Sequence, residues 1–165
     1  MNRHKFFLAA FLITVSLAAC KSNTGPSDNG GFPVVMTALV NDTSWSGIIP
    51  FIGYTNGYLD FSAGDSNSSI AIYYTQTDTG SYPVNGNTGD DLFATYDRNI
   101  EVMDSITKKD TLSYNHYVSY GNSGMVHFTH LDTSLAIGTF SFKAVNANSP
   151  YDTITITDGA FDISL

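Results

Sequence analysis

Apolar and polar residues alternate along most of the chain after residue 33. This two-residue period is typical of β-strands that bury one face. β-Branched and aromatic residues fill these stretches, and clusters of Gly, Asn and Asp separate them. No stretch after the N-terminal segment has the 3.6-residue period of an amphipathic helix. The pattern therefore predicts an all-β domain without crossover helices.

The predicted strands are short and closely spaced. Asn56-Gly57 is a tight-turn signal, Pro50 limits strand length around it, and 121–124 and 158–159 are predicted to separate neighbouring strands. About ten strands without crossovers predict an antiparallel β-sandwich, with a β-barrel as the alternative. The predicted segments are 34–41, one or two strands within 45–54, 58–63, 69–75, an edge segment at 80–84, 91–96, 100–105, 112–120, 125–131, 137–144, 153–157 and 160–165.

The N-terminal segment has a different pattern. Arg3, His4 and Lys5 precede an apolar run over residues 6–15, and small residues follow it. This arrangement is typical of a cleavable secretory signal. The apolar run is too short for a transmembrane helix, which needs about 20 residues. We therefore expect residues 1–19 to be a signal peptide.

Leu17-Ala18-Ala19-Cys20 ends this segment and resembles the lipobox of bacterial lipoproteins. The resemblance implies cleavage between Ala19 and Cys20 and acylation of the Cys20 thiol and its new amino group. Two or three acyl chains make such an anchor effectively permanent. Cys20 is the only cysteine of the sequence, so the domain is expected to fold without disulfides. The alternative is an ordinary secretory signal with a chance cysteine.

Cleavage after residue 19 would change the net charge of the protein and leave a tether followed by one domain. Of seven basic side chains it removes two, Arg3 and Lys5, which leaves five against fifteen acids and a net charge of −10. That charge opposes binding to nucleic acid or anionic lipid surfaces. Residues 20–33 are rich in Gly, Pro and Ser and are predicted to be a flexible tether. Residues 34–165 then form one β-domain.

Four segments carry a family resemblance: 38–45, 124–132, 138–144 and 154–161. Together they resemble small Bacteroidota cell-envelope lipoproteins of unknown function, although Asp42 replaces a glycine of that pattern and Phe128 an isoleucine. The resemblance implies an exported all-β domain in the bacterial cell envelope and brings no catalytic residues. Lys21 after the lipidated cysteine favours the outer membrane, and both periplasmic and surface-facing display stay open.

His116, His127 and His130 are the metal-ligand candidates of the predicted domain. On a regular strand His127 shares a face with Met125 and Thr129, whereas His130 shares the opposite face with Val126 and Phe128. Ligands on opposite faces cannot converge on one ion. We therefore predict no metal or other cofactor.

The polar loops offer weaker candidates. Gly121-Asn122-Ser123-Gly124 is similar to the loop around a serine-protease nucleophile, but a turn explains it. Asp90 and Asp91 are the closest acid pair and diverge at a loop end, so they do not suit glycosidase chemistry. The loop 85–91 supplies oxygen ligands for calcium but lacks EF-hand spacing. We predict no catalytic residues and a non-enzymatic protein.

Aromatic side chains are the better binding candidates. Tyr114 and Tyr120 share a strand face and Tyr117 opposes them, so only part of this group can form a stacking platform for sugars. Packing in the core or at its rim is the alternative explanation for these rings and for Trp45.

The family resemblance also points to O-glycosylation at Asp-Ser/Thr-aliphatic triplets. Three such triplets place Ser105, Thr111 and Thr153 as candidate acceptors.

The main hypothesis is an envelope lipoprotein that is membrane-bound through lipid on Cys20. Its β-domain would bind a glycan or protein partner or serve as a structural module. The alternatives are a barrel that carries a small apolar ligand, and a glycan hydrolase. The carrier requires an open lumen, and the hydrolase requires two acids facing each other in a cleft.

Overall fold

The computed structural model describes residues 34–76, 78–86, 91–103 and 110–164. These residues form ten strands and no helix. The strands are β1 (Met36–Val40), β2 (Thr43–Gly47), β3 (Ile49–Thr55), β4 (Tyr58–Gly64), β5 (Ser68–Tyr74), β6 (Gly80–Val84), β7 (Leu92–Met103), β8 (Asp110–Leu131), β9 (Leu135–Asn146) and β10 (Ser149–Ser164).

All ten strands belong to one antiparallel sheet. Its order is β2-β1-β10-β9-β8-β7-β5-β4-β3, and β6 pairs with β8 beside this path. The two terminal strands of that order, β2 and β3, are joined only by Ile48, whose backbone N–H donates to the carbonyl of Gly64. The sheet therefore curls into a nearly closed barrel. The prediction of an all-β antiparallel fold of about ten strands is confirmed, in the barrel-like form that was its alternative.

The tight turns follow local sequence. Asn56 and Gly57 both have positive φ and connect β3 to β4, as Asn-Gly does in two-residue hairpins. Asn41 and Asp42 do the same between β1 and β2. The predicted turn at Asn56-Gly57 is confirmed, and the predicted edge segment 80–84 is β6, which has β8 as its strand partner.

The predicted turn at Gly121–Gly124 is wrong, because β8 runs through it as one strand of 22 residues. Four residues of β8 bulge out there, opposite one residue of β9. A Cβ on Gly124 would collide with the carbonyl oxygen of Ser141, so glycine permits the close approach that keeps the strands paired. The predicted strand boundary at 158–159 is likewise wrong, because β10 continues through it with a bulge at Thr157 and Asp158.

The barrel interior is filled by aromatic rings. Phe61 lies against Phe128 and Phe161 with centroid distances of 5.4 and 5.1 Å, and Tyr74 stacks on Phe128 at 5.1 Å. All four side chains are almost completely buried. Side chains therefore occupy the region in which the carrier hypothesis requires a lumen.

Candidate functional site

The outer surface of β4, β5, β7 and β8 carries a set of polar and aromatic groups contributed by all four strands. Asp60 lies on β4 between two interior residues, Leu59 and Phe61, so it faces outward, and it pairs across the sheet with Tyr73 of β5. Further along, Asp97 of β7 pairs with His116 of β8. We call this set the outer-face cluster: Asp60, Tyr73, Thr95, Asp97, Tyr114 and His116.

Asp97 is the centre of the exposed part of this cluster. Its Oδ1 lies 2.5 Å from Nδ1 of His116, and the two side chains are 20% and 37% exposed. Tyr114, two residues along β8, lies nearly parallel to the imidazole with ring centroids 6.3 Å apart. Burial, together with the hydrogen bond and negative charge of Asp97, raises the pKa of Tyr114 to about 12. The phenol therefore stays neutral beside the carboxylate.

A second group of rings continues the cluster. Tyr73 stacks on Phe93 with centroids 4.4 Å apart and an interplanar angle of 9°, and Tyr58 meets Phe93 edge-on at 5.1 Å. Burial is the largest cause that raises the pKa of Tyr73, and the charges of Asp60 and Asp97 add to it. Of these three rings, Tyr73 therefore combines ring stacking with a hydroxyl that lies within the influence of both carboxylates.

Thr95 is a buried polar residue of this face. It is only 4% exposed, and its hydroxyl makes no well-directed hydrogen bond, although it lies close enough to Tyr73 to lower the pKa of that phenol. A buried hydroxyl without a partner costs about 1–3 kcal/mol. A ligand that supplied a hydrogen bond here would recover part of that free energy.

The arrangement suits recognition of a polar ring. Aromatic faces pack on the apolar face of a sugar, and carboxylates and hydroxyls bind its polar edge. The Asp97–His116 pair also holds an imidazole as a general base requires. However, among the described residues no serine, threonine or cysteine side chain hydrogen-bonds to that imidazole.

The other two histidines lie elsewhere. His127 faces outward with Met125 and Thr129, as predicted, and its Nδ1 lies 2.9 Å from Oγ of Ser81. The predicted placement of His130 with Val126 and Phe128 is wrong. An extra residue in β8, Thr129, reverses the alternation, so His130 is exposed and its Nε2 lies 3.1 Å from Asp132. Across the described ranges no three His, Cys, Asp or Glu side chains converge as a metal site requires.

The predicted tyrosine group is divided as its strand alternation predicted. Tyr114 and Tyr120 are 56% and 42% exposed, whereas Tyr117 is buried and donates a hydrogen bond to Asp152. Trp45 is also buried, and its indole N–H donates to Oγ of Ser68. The structure therefore brings Tyr114 together with residues of other strands and not with Tyr117.

Sequence reasoning missed Asp60, Tyr73, Thr95 and Asp97. The alternation around Asp60 indicates an outward-facing carboxylate between buried neighbours. The register that places it beside Tyr73 joins residues of different strands, so no local pattern could have identified the cluster.

The remaining candidates do not join this site. Asp91 is exposed and accepts three hydrogen bonds from Thr75, one from the backbone N–H and two from the hydroxyl. Thr153 is exposed on β10, and Thr111 lies in β8. Ala19, Cys20, residues 87–90 (with Asp90) and Ser105 lie outside the described residues.

Comparison with known proteins gives one positive result. Residues 34–162 match the sequence model of a family described as a domain of unknown function (DUF6252). No curated protein and no solved structure matches the chain. Within the described ranges there is also no helix long and apolar enough to cross a membrane. Since the matched segment spans well over half of its length, the chain belongs to the DUF6252 family.

Proposed function

We propose that this protein is a lipid-anchored envelope lipoprotein whose barrel binds carbohydrate, without catalysis, through the outer-face cluster. One observation carries the binding proposal: Tyr114 is 56% exposed and lies parallel to His116, beside the carboxylate of Asp97. An exposed ring next to a fixed hydrogen-bond acceptor is the pair of contacts that a sugar ring requires.

The rest of the cluster supports a preformed site. Asp97 is held by His116, and Tyr73 is held by stacking on Phe93, so neither side chain must lose much rotamer freedom on binding. Fixing a rotamer-rich side chain costs about 0.5–1.5 kcal/mol in binding. The cluster therefore offers contacts at a low entropic cost.

The spacing of the acids favours binding over hydrolysis. Asp60 and Asp97 are separated by two strand spacings and four residues along β7. In a flat sheet this places their Cα atoms about 16 Å apart. Glycosidase carboxyl groups lie about 5–9.5 Å apart. The pair is therefore too far apart to form one glycosidase reaction centre.

The anchor proposal depends on the N-terminal sequence. Residues 1–19 have the signal pattern and Cys20 occupies the lipobox position. The family match begins at Val34, directly after the predicted tether, which supports a displayed domain that starts there. Outer-membrane attachment is part of this proposal because of Lys21.

Binding is tested with the detergent-solubilised full chain on a glycan array, followed by calorimetry on the strongest ligand. We expect Tyr114→Ala to weaken binding at least tenfold. Tyr151→Ala is the matched control, because Tyr151 is 96% exposed on β10, outside the cluster. The proposal fails if the wild type binds no glycan, or if Tyr114→Ala binds as well as Tyr151→Ala.

The anchor is tested separately by labelling cells with palmitate and measuring the mass of the mature N-terminus. We expect label on the wild type and none on Cys20→Ser. An unacylated mature protein, or cleavage at another residue, would contradict the anchor and leave the binding proposal standing.

A further inference from the structure

Phe51, an exposed ring on the strand next to the outer-face cluster, indicates what length of glycan the surface would bind. We propose that the site binds an extended glycan chain that contacts Phe51 and Tyr114 together, in preference to a mono- or disaccharide. This inference rests on the proposed carbohydrate-binding function and specifies its ligand class.

The first argument is the face on which Phe51 lies. Phe51 of β3 pairs across the sheet with Ser62 of β4. Ser62 lies between two interior residues, Phe61 and Ala63, and therefore faces outward. Residues that pair across neighbouring strands share a face, so Phe51 faces outward as Asp60 does. Its side chain is 46% exposed, so much of the ring is accessible to a ligand.

Gly53 determines how this ring is presented. A Cβ on Gly53 would lie 2.7 Å from Cζ of Phe51, so the ring leans along β3 over the glycine. Gly53 pairs with Asp60, and Asp60 pairs with Tyr73. The tip of the ring therefore joins the row of outward residues that contains Asp60 and Tyr73. The outer surface from β3 to β8 thus has an exposed ring near each margin, Phe51 on β3 and Tyr114 on β8.

The second argument is the distance between these two rings. Phe51 and Tyr114 are four strand spacings apart, from β3 through β4, β5 and β7 to β8. They are also offset along the strands, because Phe51 is in register with Val118, four residues from Tyr114 on β8. In a flat sheet these separations place the two Cα atoms about 23 Å apart. A mono- or disaccharide cannot span this distance, whereas an extended chain can.

The third argument is the shape of the surface. The outer face of the barrel is convex, so it cannot enclose a small ligand as a concave pocket does. A single sugar there contacts one ring and leaves much of its surface in water. Sugars linked in one chain bind successive rings with a high effective concentration, because each contact after the first is intramolecular. An open surface with separated rings therefore favours a polymer over a small sugar.

The test compares chain lengths within three series of probes: malto-, cello- and chito-oligosaccharides, each as the disaccharide and as the hexasaccharide. Calorimetry on the detergent-solubilised full chain should show, in at least one series, at least tenfold tighter binding of the hexasaccharide. Part of any gain with length is statistical, because a longer chain offers more positions in which it can bind. Variants are therefore needed to isolate the contribution of Phe51.

Phe51→Ala should remove most of the gain with length, so that the hexasaccharide binds at least fivefold more weakly. It should bind the disaccharide as the wild type does, because Tyr114 and Asp97 are intact, and circular dichroism verifies that it is folded. Phe51→Tyr keeps the ring and should bind both lengths as the wild type does. Tyr54→Ala is the matched control and should keep the full gain, because Tyr54 is 61% exposed on the same strand and alternates to the opposite face.

The other outcomes overturn this inference or both proposals. A gain with length that Phe51→Ala retains in full is only statistical and overturns the inference, as does a gain that Tyr54→Ala loses equally. Equal binding of both lengths, or no binding in the three series while another glycan binds on the array, also overturns it and leaves the proposed carbohydrate binding intact. If no glycan binds at all, both proposals fail.

Discussion

The molecule contains two aromatic clusters that differ in how their polar groups are satisfied. In the barrel interior, Phe61, Phe128 and Phe161 contact one another, and the one hydroxyl among them, on Tyr74, donates to Asp78 at 2.8 Å. On the outer face, Tyr73 and Phe93 stack as closely, yet the neighbouring Thr95 hydroxyl has no well-directed partner and Tyr114 is mostly exposed.

This difference explains why ring content alone does not identify a binding surface. The interior rings stabilise the fold by burying apolar surface. At their edge, the hydroxyl of Tyr82 also donates a hydrogen bond to Asp78, at 2.6 Å. The outer rings are combined with the partly exposed carboxylate of Asp97. We therefore assign stability to the first cluster and recognition to the second, and the predictions below test that division.

The largest effect is expected inside the barrel. Phe128→Ala deletes a fully buried ring that contacts Phe61, Phe161 and Tyr74. Such a deletion loses transfer free energy and leaves a cavity, so the free energy of unfolding should fall by about 3–5 kcal/mol. Chemical denaturation measures it, with the exposed Tyr151→Ala as the control, expected within about 0.5 kcal/mol of wild type. A loss below about 1 kcal/mol would show that Phe128 does not anchor the core.

A smaller, pH-dependent effect is expected at the rim of the interior. Hydrogen bonds from Tyr82 and Tyr74 lower the pKa of Asp78. A carboxyl with a lowered folded-state pKa stabilises the protein above its unfolded pKa, and this contribution is lost as the pH falls through the folded pKa. Asp78→Asn should therefore lower Tm at pH 7, and the difference from wild type should shrink toward pH 2.

The measurement is Tm between pH 2 and 7 for both proteins. Comparing the two cancels the acid sensitivity of Asp132 and Asp152, whose pKa values are also lowered by hydrogen bonds. If the Tm difference is constant over this range, it does not come from the charge of Asp78. The stabilising role of the ionised carboxylate would then be wrong.

Much of the fold could be predicted because strands leave a local signature. The alternation of apolar residues marked the buried faces, and Asn56-Gly57 marked a hairpin through its positive φ. The bulges could not be predicted in the same way. Gly121–Gly124 and Asp158-Gly159 have turn composition, but the neighbouring strands continue alongside them and keep the chain extended. Turn-type residues show only that the backbone can bend there. Whether the chain forms a turn or a bulge depends on the pairing of the neighbouring strands.

The candidate site was harder to predict because it depends on register. Tyr114 was identified from its alternation with Tyr117, which is a property of one strand. Asp97 meets His116, and Asp60 meets Tyr73, only after separate strands pair. The extra residue at Thr129 shows the same limit, since one bulge was enough to move His130 to the other face.

The smallest effect on stability, and the sharpest test of the outer cluster, is expected at Tyr114. Burial and then Asp97 raise its pKa to about 12. A raised pKa contributes stability that is complete below the unfolded value near 10 and is lost as the pH rises through the folded value. Because Tyr114 is 56% exposed, this contribution is small. Tyr114→Phe should therefore lower Tm slightly near pH 7, and the difference from wild type should shrink as the pH rises above 10. In an alkaline titration at 295 nm it should remove one tyrosinate that forms near pH 12.

Asp97→Asn provides the matched check on this titration. It removes the carboxylate that disfavours the tyrosinate, so the Tyr114 step should move toward pH 10, whereas Asp162→Asn should leave it in place. If the tyrosinate lost in Tyr114→Phe forms near pH 10 in the wild type, Asp97 and Tyr114 do not form one cluster. The outer rings would then be ordinary surface packing. The two aromatic clusters would differ only in how deeply their rings are buried.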